Sequence, residues 1–496
     1  MRREFFLAFI LALTLNILFY FFWESGLYSL IFFIPFFLLG FRDIHQKRHA
    51  IKANFPVFGH LRYLFESIRP EISQYFIESN TDGKPFSREQ RSIVYQRAKK
   101  VLDTVPFGTQ HDVYAQGYEF ITHSMYPKHL DPASLRVTIG SHHCKQPYSL
   151  SLLNISAMSF GSLSPNAILA LNGGAKDGEF AHNTGEGGIS PYHLEPGGDL
   201  IWQIGTGYFG CRTMRGEFDP ELFKKNALIP QVKMIEVKLS QGAKPGHGGI
   251  LSGKKVTKEI AEIRNVPIAK DIISPPAHTA FNDPKSLLGF ISNLRTLSEG
   301  KPIGIKLCIG HPAEFEDLVA AMVEEKQYPD YIVVDGSEGG TGAAPIEFSN
   351  YMGMPGTDAL VFVVDCLKKA GLRDNIKILA TGKITTAFDI VKLLCLGADA
   401  TYAARSMLLS LGCIQALRCN NNTCPAGVAT QDPHLFAGLH VPTKRSRVKN
   451  FHSETLSAMA HVVGSMGMTN TAQLNREHLY RRTDENRIVT YAKLYP

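Results

Sequence analysis

The distribution of apolar residues changes character twice along this chain. Residues 5–23, "FFLAFILALTLNILFYFFW", and 27–41, "LYSLIFFIPFFLLGF", contain no charge. As helices they would span about 28 and about 22 Å, at about 1.5 Å per residue. Against a hydrocarbon core of about 30 Å, the first is long enough to cross. The second crosses where its flanks extend or the bilayer thins. The pattern predicts a transmembrane hairpin within residues 1–50, turning at 24–26. Arg2 and Arg3 precede it, and Arg42, Lys47, Arg48 and Lys52 follow it. Two positive flanks place both ends on the cytoplasmic side. A cleaved signal peptide is the competing reading, but no small-x-small site follows the first run.

Residues 51–148 are mixed and polar, with helix-like stretches such as "REQRSIVYQRAKKVL". They read as a partly helical connecting region. From residue 149 short apolar runs recur: 152–158, 179–185, 200–205, 233–240, 303–310, 331–337, 376–382 and 400–406. Each ends in small or polar residues, and several are separated by helical patterns such as "EFEDLVAAMVEEK". Continuous apolar runs alternating with helices are the mark of buried parallel strands in βα units. Eight of them predict an α/β fold, a (β/α)8 barrel over residues 149–440, with a doubly wound sheet as the alternative. Residues 441–496 read as a helical extension packed on the barrel.

Barrel chemistry sits where strands end. Here those ends carry Ser159, Gly161, Glu186, Lys238, Lys244, Lys306, the glycine-rich "DGSEGGTGAAP" at 335–345 and "ATGK" at 380–383. Glycines let backbone N–H groups approach a phosphate closely. A phosphorylated cofactor such as FMN fits this pattern, and so do plain tight βα turns. "GTGYFG" at 205–210 satisfies G-x-G-x-x-G, but Gly216 and Pro220 follow where a dinucleotide fold needs a long helix. The net charge of +7 comes without a Lys/Arg-rich block interleaved with aromatics, so nucleic acid is not an expected partner.

Cysteine changes the picture most. Cys144, Cys211, Cys308, Cys366 and Cys395 are scattered, which suits a reducing compartment better than a disulfide framework. Cys413, Cys419 and Cys424 instead crowd into one stretch with the spacing C-x5-C-x4-C-P. Zinc sites take four ligands, usually in C-x2-4-C pairs. Three thiolates suit a [3Fe–4S] cluster, and "CNNNTCP" is too polar for a core helix.

"GCIQALRCNNNTCPAGVATQ" resembles the cluster loop of the glutamate synthase large subunit. "SAMSFGSLSP", "NTGEGG", "QGAKPGHGG", "ISPPAH" and "DGSEGGTGAAP" resemble other motifs of that family, in its order, over roughly residues 150–435. "YFIESNTDGKPFSREQRS" and "DTVPFGT" resemble a membrane-anchored, stand-alone branch of the FMN-binding family. The resemblance implies a barrel that carries FMN beside a [3Fe–4S] cluster held by Cys413, Cys419 and Cys424. Electrons would pass from cluster to FMN and then to the imine of 2-oxoglutarate and ammonia, giving glutamate. Met158, Ser159 and Gly161 would carry the flavin, with Lys306 near its ring. Gly339, Gly340, Thr341, Gly342, Thr381, Gly382, Lys383, Ala404 and Arg405 would hold its phosphate end. Gln241, Lys244 and Arg264 match positions near substrate or cofactor. Glu186 is a candidate for handling protons or ammonia, so Glu186, Lys244 and Lys306 form the expected catalytic set.

The family's glutaminase domain is not expected here, since Met1 is followed by Arg2 and the apolar run. Free ammonia, or ammonia from a partner, would then be the nitrogen source, and a ferredoxin or separate reductase the electron donor. His247 and Ile250 stand where the family usually has Glu and Gln. Asn282 or Asp283 replaces a serine near the substrate, and an acid there would repel a carboxylate. A related FMN and iron–sulfur oxidoreductase acting on another imine, keto-acid or membrane electron-transfer partner is the alternative.

Overall fold

The computed structural model describes residues 2–22 and 28–496. It separates into two compact units, residues 1–85 and 86–496. The predicted turn at 24–26 lies outside the described residues.

In the first unit, helix Arg2–Phe22 is long and apolar enough to cross a membrane. Most of its side chains face outward, among them Leu11 and Phe21. A shorter helix, Leu30–His45, contains Pro35. The two helices pair through aromatic rings: Phe9 lies 5.0 Å from both Phe37 and Phe41, and Phe5 lies 5.4 Å from Phe37. Asp43 is buried, and its carboxylate accepts from Val57 N and meets His60 Nε2, each at 2.9 Å. That contact ties the end of the second helix to the segment after it.

The second unit is built on a closed barrel of eight parallel strands. They are β1 (Leu153–Ile155), β2 (His182–Asn183), β3 (Leu200–Ile204), β4 (Val232–Lys238), β5 (Ile303–Leu307), β6 (Tyr331–Asp335), β7 (Lys377–Thr381) and β8 (Ala400–Ala403). Each pairs with its sequence neighbours, and β8 closes on β1 with Tyr402 beside Asn154. Every residue of β3, β5 and β6 is buried, because helices cover the outside and side chains fill the inside. All eight predicted runs contain one strand.

The barrel interior is not wholly apolar. Glu236 on β4 accepts from Asn183 Nδ2 at 3.0 Å and Gln203 Nε2 at 2.6 Å. Burial holds the Glu236 carboxyl above its ordinary value, against the opposing pull of Lys306. This polar layer lies directly beneath the strand ends and ties β2, β3 and β4 together.

Outside the barrel, helix Val441–Ser465 packs on helices Pro165–Gly178 and Arg88–Lys99. Arg445 clamps Asp177 with two bonds of 2.7 and 2.6 Å. The remaining C-terminal residues differ from the all-helical extension expected. Strands Leu479–Asp484 and Arg487–Thr490 form a hairpin that pairs with Glu119–Ile121. Residues distant in sequence complete that sheet, so no local pattern announces it.

Candidate active site

Three cations and one carboxylate gather at the C-terminal mouth of the barrel. Lys238 ends β4, and its Nζ meets Glu186 Oε1 at 2.9 Å. Glu186 lies on the loop after β2. Lys244 Nζ donates to Ala343 O at 3.0 Å. Arg264 closes the short helix Lys258–Arg264, lies 5.1 Å over the Phe209 ring, and donates from Nη2 to Phe160 O at 2.9 Å. Its Nε is buried with no partner, a donor left over for a ligand.

Electrostatics bind these groups into one unit. Burial works to raise the Glu186 carboxyl, but Lys238, Lys244 and Arg264 together hold it below its usual value. Burial pulls the Lys244 ammonium down to about 8, with Glu186 opposing. Burial likewise lowers Arg264 to about 10, again against Glu186. Three positive charges facing one negative leave the mouth with two to spare, the charge of a dicarboxylate. An arginine fork also matches carboxylate geometry.

A second ion pair stands beside the first. Lys306 Nζ on β5 lies 3.4 Å from Asp335 Oδ2 at the end of β6. Asp335 also accepts from Gly242 N at 3.1 Å and from the Thr381 hydroxyl. Burial opposes the charge on Lys306, yet Asp335, Glu236 and Glu186 raise it above the ordinary lysine value, so it stays protonated. Gly242 is required here by contact: a Cβ would overlap the carbonyl oxygen of Gly336. The "QGAKPG" loop therefore rests on the "DGSEGG" loop. Gln241 opens that loop, its carbonyl accepting from Lys244 N.

Met158, Ser159 and Gly161 lie on the loop after β1. Met158 N donates to Asn183 O at 3.0 Å, and Met158 O faces His193 Nε2 at 3.1 Å. Across the mouth, the half-buried Arg405 donates from Nη2 to Glu338 O at 2.7 Å, fixing the turn before Gly339, Gly340, Thr341 and Gly342. Ala404 and Arg405 begin helix Arg405–Leu411, and the Ser406 hydroxyl in its first turn is buried without a partner. Beside Thr381 and Lys383, Gly382 faces open space. An orphaned hydroxyl, an open glycine and exposed glycine backbone suit the phosphate end of a flavin nucleotide.

Cys413, Cys419 and Cys424 lie in a loop that turns through left-handed backbone at Gln415, Leu417 and Asn422. Tyr95 Oη donates to Cys413 O at 2.6 Å, and Gln415 exchanges bonds with the Phe86 backbone. All three cysteines are free thiols. Burial pushes Cys413 up to about 12, with Cys419 and Cys424 adding to the rise, and burial raises Cys419 as well. Among the described residues, no three His, Cys, Asp or Glu side chains converge tightly enough to hold a single metal ion. Cysteine thiolates are the donor set that iron–sulfur clusters take.

The sequence departures resolve differently. Asp283 is exposed and caps helix Pro284–Leu297, accepting from Ser286 N at 2.9 Å. Its carboxylate is engaged as the cap of its own helix. His247 turns its ring to Phe348, 5.2 Å away, and its Nδ1 lies 2.9 Å from Gly248 O. Ile250 begins a small strand paired with Ile272–Ile273. Sequence reading missed three residues of the mouth. Phe209 and Tyr208 lie within "GTGYFG"; Tyr208 Oη accepts from Thr279 N and Ala280 N, both at 3.1 Å. That bond anchors the loop bearing His278, whose Nε2 lies 2.9 Å from Lys238 O while its Nδ1 is buried without a partner.

A family model described as "Conserved region in glutamate synthase" matches residues 97–469, which include every residue of this mouth and of the cysteine loop. The chain belongs to the glutamate synthase family. It is 39% identical to the glutamate synthase large subunit-like protein YerD of Bacillus subtilis, covering 91% of this chain and 94% of that one. It is 34% identical to the archaeal-type glutamate synthase [NADPH] of Thermotoga neapolitana over 65% of this chain, and spans 61% of that enzyme's length. With the archaeal glutamate synthase [NADPH] of Methanocaldococcus jannaschii the identity is 33%, covering 73% of this chain and 68% of that one.

Proposed function

We propose that this protein is a glutamate synthase-type oxidoreductase that makes L-glutamate from 2-oxoglutarate and ammonia. The observation that carries the reading is the charge of the barrel mouth, three cations against one carboxylate, in a chain of this family. Two carboxylates of 2-oxoglutarate would balance it. Arg264 offers its unpartnered Nε to one, and Lys244 offers its ammonium, with Gln241 beside it. Ammonia replaces the keto oxygen, which leaves as water, and the resulting C=N bond takes up a hydride and a proton. Glu186, ionised by its cations, accepts the protons that nitrogen sheds.

When bound, FMN would supply the hydride, and a [3Fe–4S] cluster would supply its electrons one at a time. The loop 158–161, the glycine turn 339–342, residues 381–383 and residues 404–405 would hold the flavin. Cys413, Cys419 and Cys424 would hold the cluster. Lys306 stays charged, which suits it to a site that gains negative charge on reduction. The electron donor would be a ferredoxin or separate reductase, and helices Arg2–Phe22 and Leu30–His45 would anchor the chain in the cytoplasmic membrane with the barrel in the cytoplasm.

His247 and Ile250 keep one alternative alive, a different keto-acid for the same chemistry. Purified full-length protein, with FMN and iron measured, is reduced with dithionite and given 2-oxoglutarate and 15N-ammonium. Formation of 15N-glutamate is expected. Loaded protein that makes none, but aminates another keto-acid, replaces this reading with the alternative.

A further inference from the structure

The loop after β1 is gripped from both sides. On one side Arg264 holds Phe160 O, as described above. On the other, the segment after the cysteines holds the next residues. Gln431 Nε2 donates to Gly161 O at 3.2 Å and to Leu163 O at 2.7 Å. Ser164 N donates to Val428 O at 2.9 Å, and the Ser164 hydroxyl donates to Gly427 O at 2.7 Å. Between them sits one buried cation. Lys255, only 3% exposed, closes the short turn Gly253–Lys255. Its Nζ donates to Ser162 O and to Ala429 O, each at 2.8 Å. No carboxylate pairs with it among the described residues. Burial lowers its ammonium to about 8, and the sulfurs of Cys419 and Cys424 oppose that fall.

A buried ammonium spent on two neutral carbonyls is costly unless something negative nearby compensates it. Three cysteine thiolates on an iron–sulfur cluster are that compensation. We propose that Lys255 is the electrostatic counter-ion of the cluster and the strut that fixes the cluster loop to the flavin loop, so that its charge sets how readily the cluster accepts an electron. This rests on the cluster assignment made above. Adding one electron adds one negative charge, and a fixed cation beside it favours the reduced form. Among the described residues no other ammonium makes a hydrogen bond to both loops.

The test is the midpoint potential of the cluster, read by EPR during redox titration of full-length protein, with iron and acid-labile sulfide measured in the same samples. Lys255→Met, which removes charge and strut, is expected to shift the reduction equilibrium at least tenfold toward the oxidised form. For one electron that is about 59 mV more negative. Lys255→Gln, which keeps donors for the carbonyls but drops the charge, is expected to shift the same way. Lys255→Arg is expected to stay within twofold of the wild type. Loaded Met and Gln variants with wild-type potentials overturn the proposal. If Met and Gln fail to load iron while Arg loads, the charge is needed to hold the thiolates and the proposal stands. If Arg fails too, the role is not the charge and the proposal falls. Wild-type protein without iron or sulfide would instead overturn the cluster assignment itself, a result visible before any potential is measured.

Discussion

The two sides of the loop after β1 solve the burial of reactive groups in opposite ways. On the Glu186 side two cations are paired, Lys238 with Glu186 at 2.9 Å and Lys306 with Asp335 at 3.4 Å, while Lys244 and Arg264 donate to carbonyls. On the cysteine side Cys424 is buried and Cys413 and Cys419 are half-buried, one ammonium senses Cys419 and Cys424, and burial drives Cys413 up to about 12. The first side is preorganised and loses little by waiting for substrate. On the proposed reading the second is complete only when its thiols ionise onto a cluster, and loading it would release protons. The mouth holds positive charge in excess, whereas the proposed cluster site leaves a deficit that its ligand would fill.

The sharpest way to break this comparison is to remove the deficit. Replacing Cys413, Cys419 and Cys424 together by Ser is expected to abolish bound iron and its visible absorbance while FMN remains. Unchanged iron content would place the metal elsewhere. On the other side, Lys244→Met is expected to raise KM for 2-oxoglutarate about a hundredfold, about 2.7 kcal/mol, with kcat less affected. An equal fall in kcat would assign Lys244 to chemistry rather than binding. A smaller effect comes from pH. Lys244 is protonated below about 8 and loses its charge as pH rises through that value. Steady-state kcat/KM for 2-oxoglutarate is therefore expected to fall about tenfold per pH unit above about 8. Lys244→Arg should move that limb to higher pH. The smallest expected effect is Asp283→Ala. As a helix cap it should lower Tm slightly and leave KM within twofold, and a large drop in KM would mean that its carboxylate does face the substrate.

What was legible in the sequence depended on how local its cause was. The eight strands were legible because a strand buried on both faces, as β3, β5 and β6 are, must be apolar throughout. The three cysteines were legible because a loop can carry all its ligands in one short segment. Lys244 was legible by its place after a strand end, whereas Arg264 was legible only through resemblance, since nothing in its neighbours tells a cation of the mouth from a surface one. Asp283 is ambiguous for the same reason: substrate repulsion and helix capping call for the same carboxylate. "GTGYFG" was read only as a failed dinucleotide motif, although its Phe209 lies under Arg264 and its Tyr208 anchors the His278 loop. The C-terminal hairpin was missed because its third strand lies more than three hundred residues away.

The barrel, the apolar N-terminal helices and the thiol triplet were readable before any folding, because periodicity, run length and spacing are properties of short segments. Only the tertiary structure decided which charges meet. Glu186, Lys238, Lys244 and Arg264 come from four separate segments, and their shared electrostatics exist only once the barrel closes. Lys255 shows the point most plainly. In the sequence it is one lysine of a "GKKV" turn; in the fold it is a buried cation bonded at 2.8 Å to each of the two loops proposed to carry the redox chemistry.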